Sequence, residues 1–186
     1  MLTEFIQGSI LQDRKAQHQL YSYTYKKLVA AVAIYAKDNS ERDWLFNLGM
    51  MRVFTNLKNL EKDSNYLGWA RTLLVRSAID HYRKHQRHKD KLTPLQSTEY
   101  SISSTDFDEM MNNLETEVVI KILQKLPEKE RLVFSMYEID GYGHAEIQEL
   151  TGINKNTSKW LLAKAKKSLK IFIESSPHIN RPGYGQ

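Results

Sequence analysis

The sequence predicts an all-α protein: two small helical domains, a helical bundle and a helix-turn-helix unit, joined by a flexible acidic linker. Three observations carry that expectation. Apolar residues recur at spacings of three and four along most of the chain, and no run alternates as a half-buried strand does. Only eight glycines and four prolines punctuate the 186 residues. Composition breaks near residue 92: from Leu92 to Ile120 there is no lysine or arginine, and six acids occur.

The first domain is expected at residues 10–92. In QLYSYTYKKLVAAVAIYAK, Tyr21, Tyr25, Leu28, Val32 and Tyr35 recur at helical spacing. The stretch WLFNLGMMRVFTNL is apolar on most sides, as a buried helix would be, and Phe46, Met50 and Met51 are expected in the core rather than on a partner-binding surface. After the polar turn EKDSN comes YLGWARTLLVRSAIDHYRKHQRHK, where Ala70, Leu73, Leu74, Ala78, Ile79 and Tyr82 line one face. The linker, 93–112, is rich in Ser and Thr and too poor in large apolar residues to support a core. Periodicity resumes in a second domain at 113–174. The tail, 175–186, holds two prolines and two glycines and should fray.

Composition narrows the function. Hydrophobic residues make up 41% and charged residues 26%, ordinary for a soluble globular protein. A net charge of +5 favours an acidic partner, nucleic acid or an anionic membrane surface. No apolar run is long enough to span a bilayer, so membrane insertion is not expected. The start, MLTEFIQGSILQDRK, lacks the basic and long apolar segments of a secretory signal, and a cytoplasmic location is expected. The chain has no cysteine, which excludes disulfides and thiolate metal sites.

The sharpest charge signal lies in HAEIQELTGINKNTSKWLLAKAKKSL, residues 144–169. It reads as two helices. Ile147 and Leu150 give the first an inner face, Gly152 suits the left-handed end of a helix, and Ile153 plugs the corner. Asn154 is a good cap for the second arm, whose inner face is Thr157, Leu161, Leu162, Ala165 and Leu169. From Lys155 to Lys170 there are six lysines and no acid. A helix entering the major groove passes between two phosphate backbones, where an acid is repelled from either side. The expected outer face is Lys155, Asn156, Lys159, Trp160, Ala163, Lys166 and Lys167. Of these, Lys155, Asn156, Lys159 and Trp160 are candidates for base contacts, and Lys166 and Lys167, together with Lys164, for phosphate contacts; Thr157 is a further candidate for DNA binding. A plainer reading is a solvated basic face, but dipole effects reach only the last turn of a helix and these lysines begin at the first.

A second basic element, RKHQRHKDK at 83–91, carries five lysines or arginines and one acid, and it continues the helix holding Trp69, Arg71, Arg76 and Tyr82. Cations interleaved with aromatics suit single-stranded nucleic acid, although Trp69 and Tyr82 more often fill a core. His81, His85 and His88 share helical spacing, but the surrounding cations disfavour a metal ion. No metal site or cofactor is expected. Phosphate-loop, dinucleotide, serine-hydrolase and zinc-protease motifs are absent, so no enzymatic activity is expected.

Taken together, these residues resemble bacterial sigma factors of the sigma-70 family, in the extracytoplasmic-function (ECF) group. GWARTLLVRSAIDHYRKHQR is similar to the family's region 2.3–2.4, with Trp69, Ala78, Ile79, Asp80, Tyr82, Arg83 and Lys84 at matching positions. LPEKERLVFSMYEIDGYGHAEIQELTGINKNTSKWLLAKAKKSL is similar to region 4, including Leu126, Pro127, Arg131, Val133, Phe134, the EIDGYG turn, Gly152, Thr157, Lys159 and Leu169. The resemblance implies a dissociable, non-catalytic subunit whose partners are core RNA polymerase and promoter DNA, with an anti-sigma factor as a further partner such proteins often have. It implies that the first domain captures a melted −10 element through Ser64, Asn65, Trp69, Arg71, Arg76, Arg83, Lys84 and Arg87, and docks on polymerase near Asp43, Asn47 and Arg52. The second domain would read the −35 element. The acidic linker would run near the polymerase active site and RNA exit path. The chain departs from the pattern at region 2.2, where the usual Asp-Leu-x-Gln-acid gives way to Trp44-Leu45-Phe46-Asn47-Leu48. It departs again at Arg76, Gln148, Trp160 and Leu161. A helix-turn-helix regulator that binds duplex DNA without joining polymerase is the alternative.

Overall fold

The computed structural model describes residues 1–61, 65–89 and 114–175. Over these residues the protein is all-α, and no strand occurs among them. The linker at 93–112, nearly all of the tail and Ser64 lie outside the described residues, as does the side chain of Arg87. No described helix is long and apolar enough to cross a membrane. The chain divides into two units, at Tyr82–Arg83.

The first unit begins earlier than residue 10. Helix α1 (Leu2–Ile10) packs along α2 (Arg14–Ala33). The approach is close because both contact positions are small: a Cβ on Gly8 would stand 2.5 Å from Ala16 Cβ. Between the helices Gln12 takes a positive φ of 64°. Asp13 caps α2, its carboxylate accepting from the Lys15 and Ala16 amides. The buried stripe of α2 is Ala16, Leu20, Thr24, Leu28 and Val32. It is thus rotated from the expected one, and Tyr21 and Tyr25 stand at its edge. Their rings meet Phe46 edge-on, while their hydroxyls reach polar partners on α3. A tyrosine at the rim packs its ring on apolar neighbours and keeps its hydroxyl bonded. The Tyr66 hydroxyl shows the buried alternative: it shares a 2.6 Å hydrogen bond with Thr24 Oγ1, and burial pushes it up to about 12.

Helix α3 (Asn39–Asn56) starts on a reciprocal cap, with Asp38 accepting from the Glu41 amide and Glu41 from the Lys37 amide. Leu45, Phe46, Gly49, Met50 and Val53 are buried. Met51, expected in the core, is 68% exposed, and Trp44 is 48% exposed. The helix covers only one face of the core, so a sequence apolar all round must leave some of it outside. A short 3-10 turn (Leu57–Asn59) leads toward α4 (Tyr66–Lys89), whose buried residues include Ala70, Leu74, Val75, Ala78, Ile79 and Tyr82. Leu73 is only half-buried. Beyond Tyr82, Lys84 and His85 are exposed, which is why the unit closes ten residues before the break in composition.

Helices α3 and α4 touch at Gly49. A Cβ there would lie 2.5 Å from Leu74 Cδ2 and 2.9 Å from Leu74 Cα. The second neighbour is backbone and cannot rotate away. Gly49→Val is therefore expected to destabilise the first unit by about 1–3 kcal/mol through overpacking, read as a lower urea midpoint at unchanged slope.

The second unit comprises α5 (Thr116–Gln124), α6 (Glu128–Phe134), α7 (His144–Thr151) and α8 (Lys155–Glu174). A π-helical turn, Ser135–Ile139, extends α6. Helices α5, α6 and α7 all pack on α8. Ile122, Leu123, Val133, Met136, Ile147, Ala165, Leu169 and Ile173 are the fully buried centre of this core.

Candidate nucleic-acid interface

The hairpin α7–α8 is built by its turn. Glu146 accepts from the Gly143 amide at 2.7 Å and fixes the start of α7. The helix ends at Gly152, φ 82°, whose amide donates to Gln148 O. Nothing crowds this glycine, so the left-handed backbone rather than space demands it. Thr151 Oγ1 donates to Ile147 O at 2.6 Å and accepts from the Ile153 amide at 3.1 Å. Asn154 then caps α8, accepting from the Thr157 amide at 2.8 Å. Gln148, which replaces a small residue of the resembled pattern, is exposed, and its Oε1 accepts from the Lys155 amide at 3.0 Å. The two arms are thus locked by bonds between the end of one and the start of the next.

This geometry exposes Lys155, Asn156 and Lys159 on the first two turns of α8. Neither lysine has an ion-pair partner among the described residues. Thr157 is half-buried, and Lys167 is exposed further along. Two other expected phosphate contacts point elsewhere. Lys164 Nζ lies 2.7 Å from Glu130 Oε1, whose side chain is 3% exposed on α6. Lys166 Nζ lies 2.7 Å from Glu138 Oε1, and its side chain is 14% exposed, not outward as expected. Both lysines serve acids of their own chain, since a half-buried carboxylate needs a nearby cation. Trp160 is half-buried, its indole N–H enclosed with no hydrogen-bond partner among the described residues, and Lys164 Nζ sits 5.0 Å above its ring.

Sequence reading missed His144. It opens α7, its Nδ1 lies 2.9 Å from Ser158 Oγ on α8, and its ring stacks on Tyr137 at 4.5 Å. Burial, then Lys159 and Lys155, hold it below its ordinary value, against a smaller upward pull from Glu138. A single histidine beside a glycine carries no spacing signal, so only the folded hairpin reveals it.

On α4 the residues at 69, 76 and 83 fall at intervals of seven, and Trp69, Arg76 and Arg83 therefore share a face. Arg76 and Lys84 are exposed, and Trp69 and Arg83 half-buried. Asn65 sits at the head of this face and accepts from the Gly68 amide. Arg71 does not join it, because a residue two positions from Trp69 lies on another side of the helix. Tyr82 is core.

The three residues expected at a docking surface on α3 all have partners within the chain. Asp43 accepts from Arg42 and from the Tyr25 hydroxyl, both at 2.8 Å. The Arg42 guanidinium holds its carboxyl below the usual carboxylate range, while burial and Asp43 push the Tyr25 hydroxyl up. Asn47 Oδ1 accepts from the Tyr21 hydroxyl at 2.6 Å, and Arg52 pairs with Asp80 at 2.8 Å. The large apolar residues that α3 exposes are Trp44, edge-on against His81 at 4.4 Å, and Met51 one heptad later.

Residues 116–169, from the first residue of α5 into α8, match the family described as sigma-70, region 4. Along its length the chain is similar to the RNA polymerase sigma factor SigZ of Bacillus subtilis, 22% identical over 166 residues that span 89% of this chain and 92% of that one. It is also similar to the ECF RNA polymerase sigma factor SigM of Mycobacterium tuberculosis, 20% identical over 167 residues, 89% of this chain and 81% of the other.

Proposed function

The region 4 match and the near-full-length likeness to SigZ and SigM support an ECF sigma factor of the sigma-70 family, and from that premise we propose that the chain binds core RNA polymerase and directs promoter recognition. The hairpin α7–α8 reads the −35 element as duplex. Lys155, Asn156 and Lys159 face the bases and flanking phosphates, and Lys167 anchors the backbone. The α4 face of Asn65, Trp69, Arg76 and Arg83, with Lys84 beside it, captures the melted −10 strand. There cations track the backbone and the indole stacks on an unpaired base, offsetting the few kcal/mol that unstacking costs. The α3 face docks on polymerase. Sigma factors are non-catalytic subunits, and the proposal gives this chain no chemical step of its own.

The observation that carries this reading is that the matched region 4 segment holds a locked helix-turn-helix whose exposed leading turns bear lysines and no acid. Run-off transcription on genomic fragments, with core polymerase alone and with this chain added, tests it. The expected result is new, defined transcript starts that depend on the chain. Tight duplex binding by the isolated chain with no association with polymerase would overturn it in favour of a free-standing regulator.

A further inference from the structure

His144 is tied to the second arm of the hairpin at Ser158, next to the exposed Lys159. Its Nδ1 is tied to Ser158 on the recognition arm, and Lys155 and Lys159, both outward, act on it from that arm. From the turn after α6 come the Tyr137 ring, stacked at 4.5 Å and 21°, and Glu138, itself paired with Lys166. On its own helix Glu146 is engaged by the Gly143 amide. The ring also stands at the first residue of α7, where the helix dipole opposes a cation. Every strong influence except Glu138 and the tyrosine face therefore favours neutral imidazole in the free protein.

We propose that His144 is a further DNA-facing residue of the hairpin, neutral in the free protein, which takes up one proton from solvent when duplex occupies the α8 face. The inference rests on the reading of α7–α8 as the duplex-binding unit. Phosphates arriving beside Lys155 and Lys159 offset the lysines' share of what keeps the ring neutral, a smaller share than that of burial, and attract the imidazolium directly. Nothing else must move. A protonated ring donates from both nitrogens, so Nδ1 keeps its bond by donating to the Ser158 oxygen, and the Tyr137 face favours the cation. The sign follows from reciprocity. If DNA raises the pH at which His144 titrates, protonation raises the affinity for DNA by the same factor. Affinity then climbs as pH falls between the bound and free titration points, by up to about tenfold per pH unit where uptake is complete, and is flat outside that window.

The test uses core polymerase reconstituted with the full chain and a promoter fragment recovered by run-off transcription. Binding is measured from about pH 8 down to about pH 5.5 at fixed ionic strength, for wild type and His144→Gln. Glutamine can still bond Ser158 but cannot take a charge. The expected result is a several-fold smaller gain in affinity toward acid pH for the variant than for wild type, each measured against its own affinity at the alkaline end. Parallel pH profiles, or a loss by the variant equal at every pH, would overturn the proposal while leaving the sigma reading standing. A failure of run-off itself would sink that reading first. As a measurement independent of the variant's folding, the His144 ring proton resonance of the full chain is titrated with and without the duplex. A higher titration point with DNA supports the proposal, and an unchanged one overturns it.

Discussion

Lys155→Ala/Lys159→Ala is expected to lower the slope of log affinity against log salt by about 2 for promoter duplex, because every phosphate that goes unneutralised leaves about 0.9 of a counterion unreleased. Over about 50 to about 200 mM salt the wild type should therefore weaken much more steeply than the variant. Lys159→Ala alone should cost about 1–3 kcal/mol on the preferred −35 sequence if the ammonium touches a base, and equally on all sequences if it touches only phosphate. Lys164→Met removes the same formal charge from the same helix yet should leave the slope unchanged. That ammonium lies 2.7 Å from the Glu130 carboxylate and over the Trp160 ring, so it has few counterions to release. Its loss should appear in thermal stability instead, since Glu130 is 3% exposed and would be left without its cation. Filter-binding salt titrations and melts of the same three variants check both halves. An equal loss of slope from Lys164→Met would show that the ion pair opens in the complex.

The contrast between Lys159 and Lys164 also shows where sequence reading stops. The helix-turn-helix was legible because its signals are local. A left-handed glycine, an asparagine cap and an apolar period each act within one turn, and all fall where expected at Gly152, Asn154 and Leu161 through Leu169. The direction of a lysine on that frame is not local. Lys164 and Lys166 turn from the groove because Glu130 and Glu138, far away in sequence, arrive beside them through the packing of α6 and its π turn on α8. Counting cations along one helix cannot show which of them the fold has already matched. Likewise the tyrosines of α2 kept helical spacing, yet the buried stripe runs through Leu20 and Thr24, because the Tyr21 and Tyr25 hydroxyls bond Asn47 and Asp43 on α3 at the rim. Helix α1 escaped notice although Leu2, Phe5 and Ile6 have helical spacing; its close docking depends in addition on the small Gly8 and Ala16.

On the proposed function, the first unit docks on polymerase through α3. Asp43, Asn47 and Arg52 were the polar candidates, but each is bonded inside the chain: Asp43 and Asn47 toward α2, Arg52 toward α4. These bonds already hold part of their polar capacity, whereas Trp44 and Met51 offer exposed apolar area. Trp44→Ala/Met51→Asp is therefore expected to weaken association with core polymerase by more than about 2 kcal/mol, some thirtyfold, as truncation of a central aromatic anchor does. Its melting curve should stay close to wild type, because surface substitutions rarely change stability by more than about 0.5 kcal/mol. Asp43→Ala should do the reverse, lowering stability by releasing Arg42 and the Tyr25 hydroxyl while leaving the exposed face intact. Because the docking contact is apolar, its strength should also change little with salt, unlike the contact made by α8. Co-elution of each variant with core polymerase at low and high salt separates the possibilities. Tight assembly by Trp44→Ala/Met51→Asp would put the docking surface elsewhere on the unit, and loss of assembly by Asp43→Ala with an unchanged melt would return it to the polar residues.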